Sequence, residues 1–67
     1  DLMNLNTDKL LILMAEQCMN PYDLCEKADI SYIVYHKTVT GKSKPKPATV
    51  GKIAKALNVS VKELLED

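Results

Sequence analysis

The 16 residues from Gly51 to Glu66, GKIAKALNVSVKELLE, constrain the fold more than any other part of the chain. Ile53, Ala54 and Leu57 recur at helical spacing, three and four apart. Asn58 tolerates the left-handed conformation that closes a helix. Ser60 then offers a capping oxygen, and Glu63 stands three residues on, the spacing of a capping box. The stretch therefore predicts two short helices meeting at a tight corner. Val59, Val61, Leu64 and Leu65 are available to pack the second back on the first.

The rest of the chain extends this helical pattern. Thr7 is expected to cap a first helix running to about Gln17, with Asp8 in its first turn facing the positive end of the helix dipole. Leu10 to Ala15 is apolar nearly all round, so that helix is either covered on both sides or joins another subunit. Asn20-Pro21 starts a second helix, with Asn as cap and Pro at the first helical position. It runs to about Ala28 and turns Leu24, Cys25 and Ala28 inward. Asp29 ends it, because Asp accepts the left-handed conformation better than most residues. Ile30 packs back and Ser31 caps the next segment. Pro47 opens a helix that ends at Leu57.

The segment from Tyr32 to Thr40, YIVYHKTVT, disagrees locally. It is rich in β-branched and aromatic residues and alone reads as a strand. A lone strand in an otherwise helical chain has no partner and is not a stable element. The tertiary pattern therefore predicts a helix from Tyr32 to about Val39.

Composition sets the outer limits. A chain of 67 residues makes one small core and buries only about 60% of its unfolded surface. There is no Trp and no Phe, so Leu, Ile, Val, Met and Ala must fill that core. No apolar run approaches the ~18 residues of a membrane span, and nothing reads as a targeting signal. A cytoplasmic protein is expected. Cys18 and Cys25 make no disulfide framework, and a metal site would need more ligands than His36 supplies. Both are expected to be reduced and in or near the core.

The net charge is zero, yet it is segregated. Ile30 to Lys62 holds seven Lys and no acid, residues 1–29 hold six acids and two Lys, and residues 63–67 hold three acids. A one-sided basic surface is what a phosphate backbone attracts, whatever the net charge. The other reading is a solvated, lysine-rich face. One His, no nucleophile–base arrangement and no room for a pocket argue against an enzyme.

The pair of helices in Gly51–Glu66, an I-A-x-x-L helix followed by V-S-x-x-E-L-L, resembles the C-terminal half of the lambda-repressor-like (Xre/Cro-type) helix-turn-helix domains. The resemblance extends, more loosely, back to Thr7. It implies an all-α, compact five-helix domain, with residues 1–6 as an N-terminal tail and residues 7–67 as the domain. Helices 2 and 3 would form the helix-turn-helix, and helix 3 would enter the major groove of double-stranded DNA. It implies a transcriptional regulator, a repressor of phage or mobile-element type, acting as a homodimer on its operator. No cofactor, membrane or small-molecule substrate is implied.

Carried over position by position, the resemblance puts Tyr32, Ile33, His36, Lys37 and Thr40 on the outward face of helix 3. Ile33 and the Tyr32 ring suit a thymine methyl; His36 and Lys37 can donate to guanine O6 and N7. Ser31 and Thr40 can bind phosphate or a base edge. Lys42, Lys44 and Lys46 fall where the family's loop runs beside the backbone, and Thr49 lies in the first turn of helix 4, whose N–H groups suit a phosphate. Tyr35 is assigned to the core. Without the motif, His36 reads as an ordinary surface His.

Several positions depart from the family pattern. Pro21 replaces a usual phosphate-binding Gln. Cys25 and Asp29 replace a small Ala and a Gly. Tyr35 and Thr38 replace aliphatic anchors, and Val39-Thr40 replaces Glu-Asn. The chain has no Arg, so bidentate Arg–guanine readout is excluded and modest specificity is expected. These features also leave a second class of function, a protein-interaction module on the same helical fold.

Overall fold

A computed structural model describes residues 4–66. Four α-helices follow one another: α1 (Thr7–Glu16), α2 (Pro21–Ala28), α3 (Tyr32–Val39) and α4 (Pro47–Leu57). The expected fifth helix is a single 3-10 turn, Val61–Leu64. No strand occurs among the described residues, and none of their helices is long and apolar enough to cross a membrane.

The chain stops and starts where its capping residues stand. The Asn20 side chain accepts from the Asp23 N–H at 2.8 Å, and the Asp23 carboxylate accepts from the Asn20 N–H at 3.1 Å. This reciprocal box, with Pro21 next to it, begins α2. Asp29 and Asn58 end α2 and α4 in the left-handed region, at φ 58° and 59°.

Two cap expectations need correction. Asn6, and not Thr7, caps α1, its side chain accepting from the Lys9 N–H at 3.1 Å. Ser60 makes no side-chain cap bond, so the Ser60–Glu63 capping box does not form. The reason lies across the fold. Leu65 leaves the 3-10 turn in extended conformation and pairs antiparallel with Leu5. The Asn6 N–H donates to the Leu64 carbonyl at 2.7 Å, and the Glu66 N–H donates to the Asn4 carbonyl at 2.9 Å. That pairing fixes the backbone at both places.

The core joins Leu10 and Met14 of α1, Leu24, Cys25 and Ala28 of α2, and Val50, Ile53, Ala54, Ala56 and Leu57 of α4, with Leu5, Tyr35 and Leu64. Helix α2 packs on both α3 and α4, and the 3-10 turn packs on α1 and α4. Val59, Val61, Leu65 and Ile30 lie half-buried against this cluster, as their positions predicted. Leu2 and Met3, in the segment expected as an N-terminal tail, lie outside the described residues. The Gln17 side-chain amide donates to the Leu57 carbonyl and ties the end of α1 to the end of α4. Leu11 and Ile12, on the far side of α1, stay exposed within the single chain.

The two cysteines separate. Cys25 is buried, and burial pushes its thiol above the ordinary value of 9.0. Cys18 is exposed, contrary to expectation, because it takes the turn after α1 at φ 56°. A thiol reagent added to the folded domain should therefore label one cysteine, Cys18, with Cys25 reacting only after denaturation. Equal labelling rates at the two sites would refute this burial pattern. The stability tied to Cys25 is fully present below pH 9.0, because the raised value favours the neutral thiol of the fold. It is lost as pH climbs through that raised value.

Candidate nucleic-acid interface

Helix α3 is built from residues that favour strands, and specific bonds hold it. The Ser31 hydroxyl oxygen accepts from the Val34 N–H at 3.2 Å and caps its start. On the inner face, Tyr35 and Thr38 are both buried. The Thr38 hydroxyl donates to the Val34 carbonyl at 2.8 Å, so a polar group in an aliphatic's usual place is satisfied. The Tyr35 hydroxyl points at the Met14 sulfur, 3.9 Å away. Burial, and then the neighbouring Cys25 and Tyr32, raise the Tyr35 phenol above its ordinary value. The helix closes when Gly41, at φ 77°, turns the chain. The Ser43 N–H then donates back to the Lys37 carbonyl at 3.2 Å.

With Tyr35 and Thr38 inside, the opposite face is free. Tyr32, Ile33, His36, Lys37 and Thr40 are all exposed, Ile33 at 65%. Their spacing puts them on one side of the helix. A shallow hollow of about 330 Å³ is lined by Tyr32, Ile33, His36, Lys37 and Lys42. A second, of about 310 Å³, is lined by Lys37, Lys44, Lys46 and Thr49, together with Val34, Thr38, Ser43 and Pro45. Lys37 borders both, so eight of the ten sequence-predicted positions form one continuous surface from α3 across the loop to α4.

The other two stand apart. The Ser31 oxygen is engaged in its cap. The Thr40 hydroxyl donates to the His36 carbonyl at 2.6 Å, and Thr40 lines a different hollow with Asn4, Leu5 and Glu66. Lys44 borders that third hollow as well. The acid-free charge pattern of Ile30–Lys62 is thus not wholly kept in space, since folding brings the carboxylate-bearing Glu66 to the edge of the basic loop.

Two residues of this surface were missed in the sequence. Val34 is exposed and lines the second hollow. Tyr22, on α2, is 68% exposed, and its ring stacks on that of Tyr32 with centroids 5.1 Å apart and planes at 17°. Spacing along one helix cannot show such a pair. It exists only once α2 and α3 cross.

Comparison with known proteins gives one family and no individual relative. The family described as Cro/C1-type HTH DNA-binding domain matches residues 9–67. No curated protein and no solved structure matches the chain.

Proposed function

Because the chain belongs to the family of Cro/C1-type HTH DNA-binding domains, we propose that it is a sequence-specific regulator of transcription that reads double-stranded DNA with α3. The observation that carries the proposal is the outer surface of α3, where Tyr32, Ile33, His36 and Lys37 are open to solvent beside the lysine-bearing loop. In this reading α3 lies in the major groove. Ile33 and Tyr32 contact thymine methyls, and His36 and Lys37 donate to guanine. Lys42, Lys44 and Lys46 hold the backbone on one flank, with the first turn of α4 and Thr49 beside them. Ser31 and Thr40 contribute through the lone pairs their own bonds leave free.

The protein is cytoplasmic in this reading and acts as a repressor of phage or mobile-element type, occluding a promoter. Two copies bind a two-fold site with half-sites about one helical turn apart. Exposed Leu11 and Ile12 on α1 supply an apolar contact for the second copy. The patch is small, so the dimer is weak in free solution and strengthened on DNA. Sedimentation should show a monomer at micromolar protein, and a tight dimer at nanomolar concentration would count against this.

The test of DNA reading is a gel shift against a random duplex pool, followed by selection of the bound sequences. Ile33→Ala, His36→Ala and Lys37→Ala should each change which sequences are selected. Each should weaken the best site by roughly 1–3 kcal/mol for a good base contact. Unchanged affinity and preference in all three folded variants would mean that α3 does not read DNA. The second reading, a protein-interaction module, would then be preferred. What favours it is the apolar exposure of Tyr22, Ile33 and Val34 on a surface without Arg.

A further inference from the structure

We propose that Tyr22 is a positioning residue for base readout: its ring holds the ring of Tyr32, so a residue of α2 sets a sequence preference expressed by α3. The inference rests on the DNA-reading function proposed above.

Neither ring is anchored by its own burial. Tyr32 is 42% exposed and Tyr22 68% exposed. An unsupported surface Tyr at the start of a helix samples several rotamers and presents no fixed edge to a base. Tyr32 has three rings around it. Those of Tyr35 and His36 lie at 5.9 and 6.1 Å and are tilted by 38° and 32°. Only the Tyr22 ring lies near-parallel, at 5.1 Å. That is the offset-stacked distance range in which aromatic pairs attract beyond simple burial.

The two outer supports are held differently, the Tyr35 ring by burial and Tyr22 through its backbone. Tyr35 is buried and directed at Met14. Tyr22 follows Pro21, whose ring sets the backbone, inside the Asn20–Asp23 capping box. The stack thus runs from the core through Tyr35 and Tyr32 to Tyr22, and the attitude of the Tyr32 ring is registered to α2. The positioning comes from the Tyr22 ring and not from its hydroxyl.

The experiment compares the full chain with Tyr22→Ala, Tyr22→Phe, Tyr32→Ala and the Tyr22→Ala/Tyr32→Ala double variant. Each is used to select duplexes from a random pool, and affinity is then measured on the wild-type best site. Tyr22→Phe should keep the wild-type preference and affinity. Tyr22→Ala should relax preference at the same base pair as Tyr32→Ala and weaken the best site by roughly 2–10-fold. The double variant should be no weaker than Tyr32→Ala alone. In the free protein, the Tyr22 contribution to the ring-current shift of the Tyr32 ring protons should be lost in Tyr22→Ala, leaving those of Tyr35 and His36, and should persist in Tyr22→Phe.

Three results would overturn the inference. One is a Tyr22→Ala protein that keeps the wild-type preference. Another is a pair of alanine effects that multiply as independent contacts. The third is a Tyr22→Phe protein that loses as much as Tyr22→Ala, which would make the hydroxyl a direct DNA contact. A wild-type chain that binds no duplex would refute the DNA-reading function, and this inference with it. A wild type that binds, with Tyr22→Ala unaltered, refutes this inference alone.

Discussion

Replacing Leu24 by Ala should remove a large share of the protein's stability. Leu24 is fully buried on α2, the helix that packs on both α3 and α4. Truncating a buried Leu costs about 2–5 kcal/mol, because the lost transfer energy is joined by a cavity that rigid neighbours cannot close. A domain of this size has about 3–10 kcal/mol of stability in all. The melting temperature followed by circular dichroism should fall by roughly 8 °C or more. Ile12→Ala, on the exposed side of α1, should change stability by no more than about 0.5 kcal/mol. A Leu24→Ala protein that melts within about 5 °C of wild type would contradict the packing described.

Removing the loop charges together should produce the largest loss of DNA affinity. In the Lys42→Ala/Lys44→Ala/Lys46→Ala variant, three backbone contacts of the proposed interface disappear. Each phosphate contact contributes about 0.9 to the slope of log affinity against log salt, so the slope should flatten by about 2.7. Binding at low salt should weaken on the order of 10²-fold for every duplex, with the selected sequences unchanged. In the proposed interface the loop lysines meet backbone, which carries no base information, whereas Ile33, His36 and Lys37 face the base edges. An unchanged salt slope would show that the loop does not lie along phosphates. A changed sequence preference would show that it enters a groove.

Much of the helical frame was legible because its signals are local. Asn20, Pro21 and Asp23 lie within one turn of each other, and Asp29 and Asn58 act through their own backbone angles. Neighbours in sequence suffice to define such features. What could not be read depends on partners far away. Asn6 and Thr7 are both competent caps, and the choice between them goes with the Asn6 N–H bond to the Leu64 carbonyl. The Ser60–Glu63 spacing is correct for a capping box, but Leu65 is drawn into extended pairing with Leu5, and the turn tightens. Cys18 carries an apolar residue's expectation of burial into a left-handed turn that directs it outward. The strand-like composition of α3 is overridden by a cap, a back-bonded Thr38 and two buried side chains. On the candidate site, single-helix periodicity was enough to select the outward residues of α3. It could not reveal Tyr22, whose neighbour is ten residues away on another helix.

The pairing of Leu5 with Leu65 also bears on how the domain breathes. It is a clasp between the two ends of the fold, closing a loop of about 60 residues. Loop-closure entropy grows only by about 0.6 kcal/mol per doubling of length, so shutting the clasp is little harder than bringing α2 to α4. Undoing it, however, frees the backbone at Leu5 and Leu65 without parting α2 from α3. The fold therefore has a natural first opening at the Leu5–Leu65 pairing, a partial excursion that leaves α3 in place. Amide protons of Asn6 and Glu66 should exchange with solvent sooner than those in the middle of α4, so the domain can loosen where Leu5 meets Leu65 while α2 and α3 stay packed.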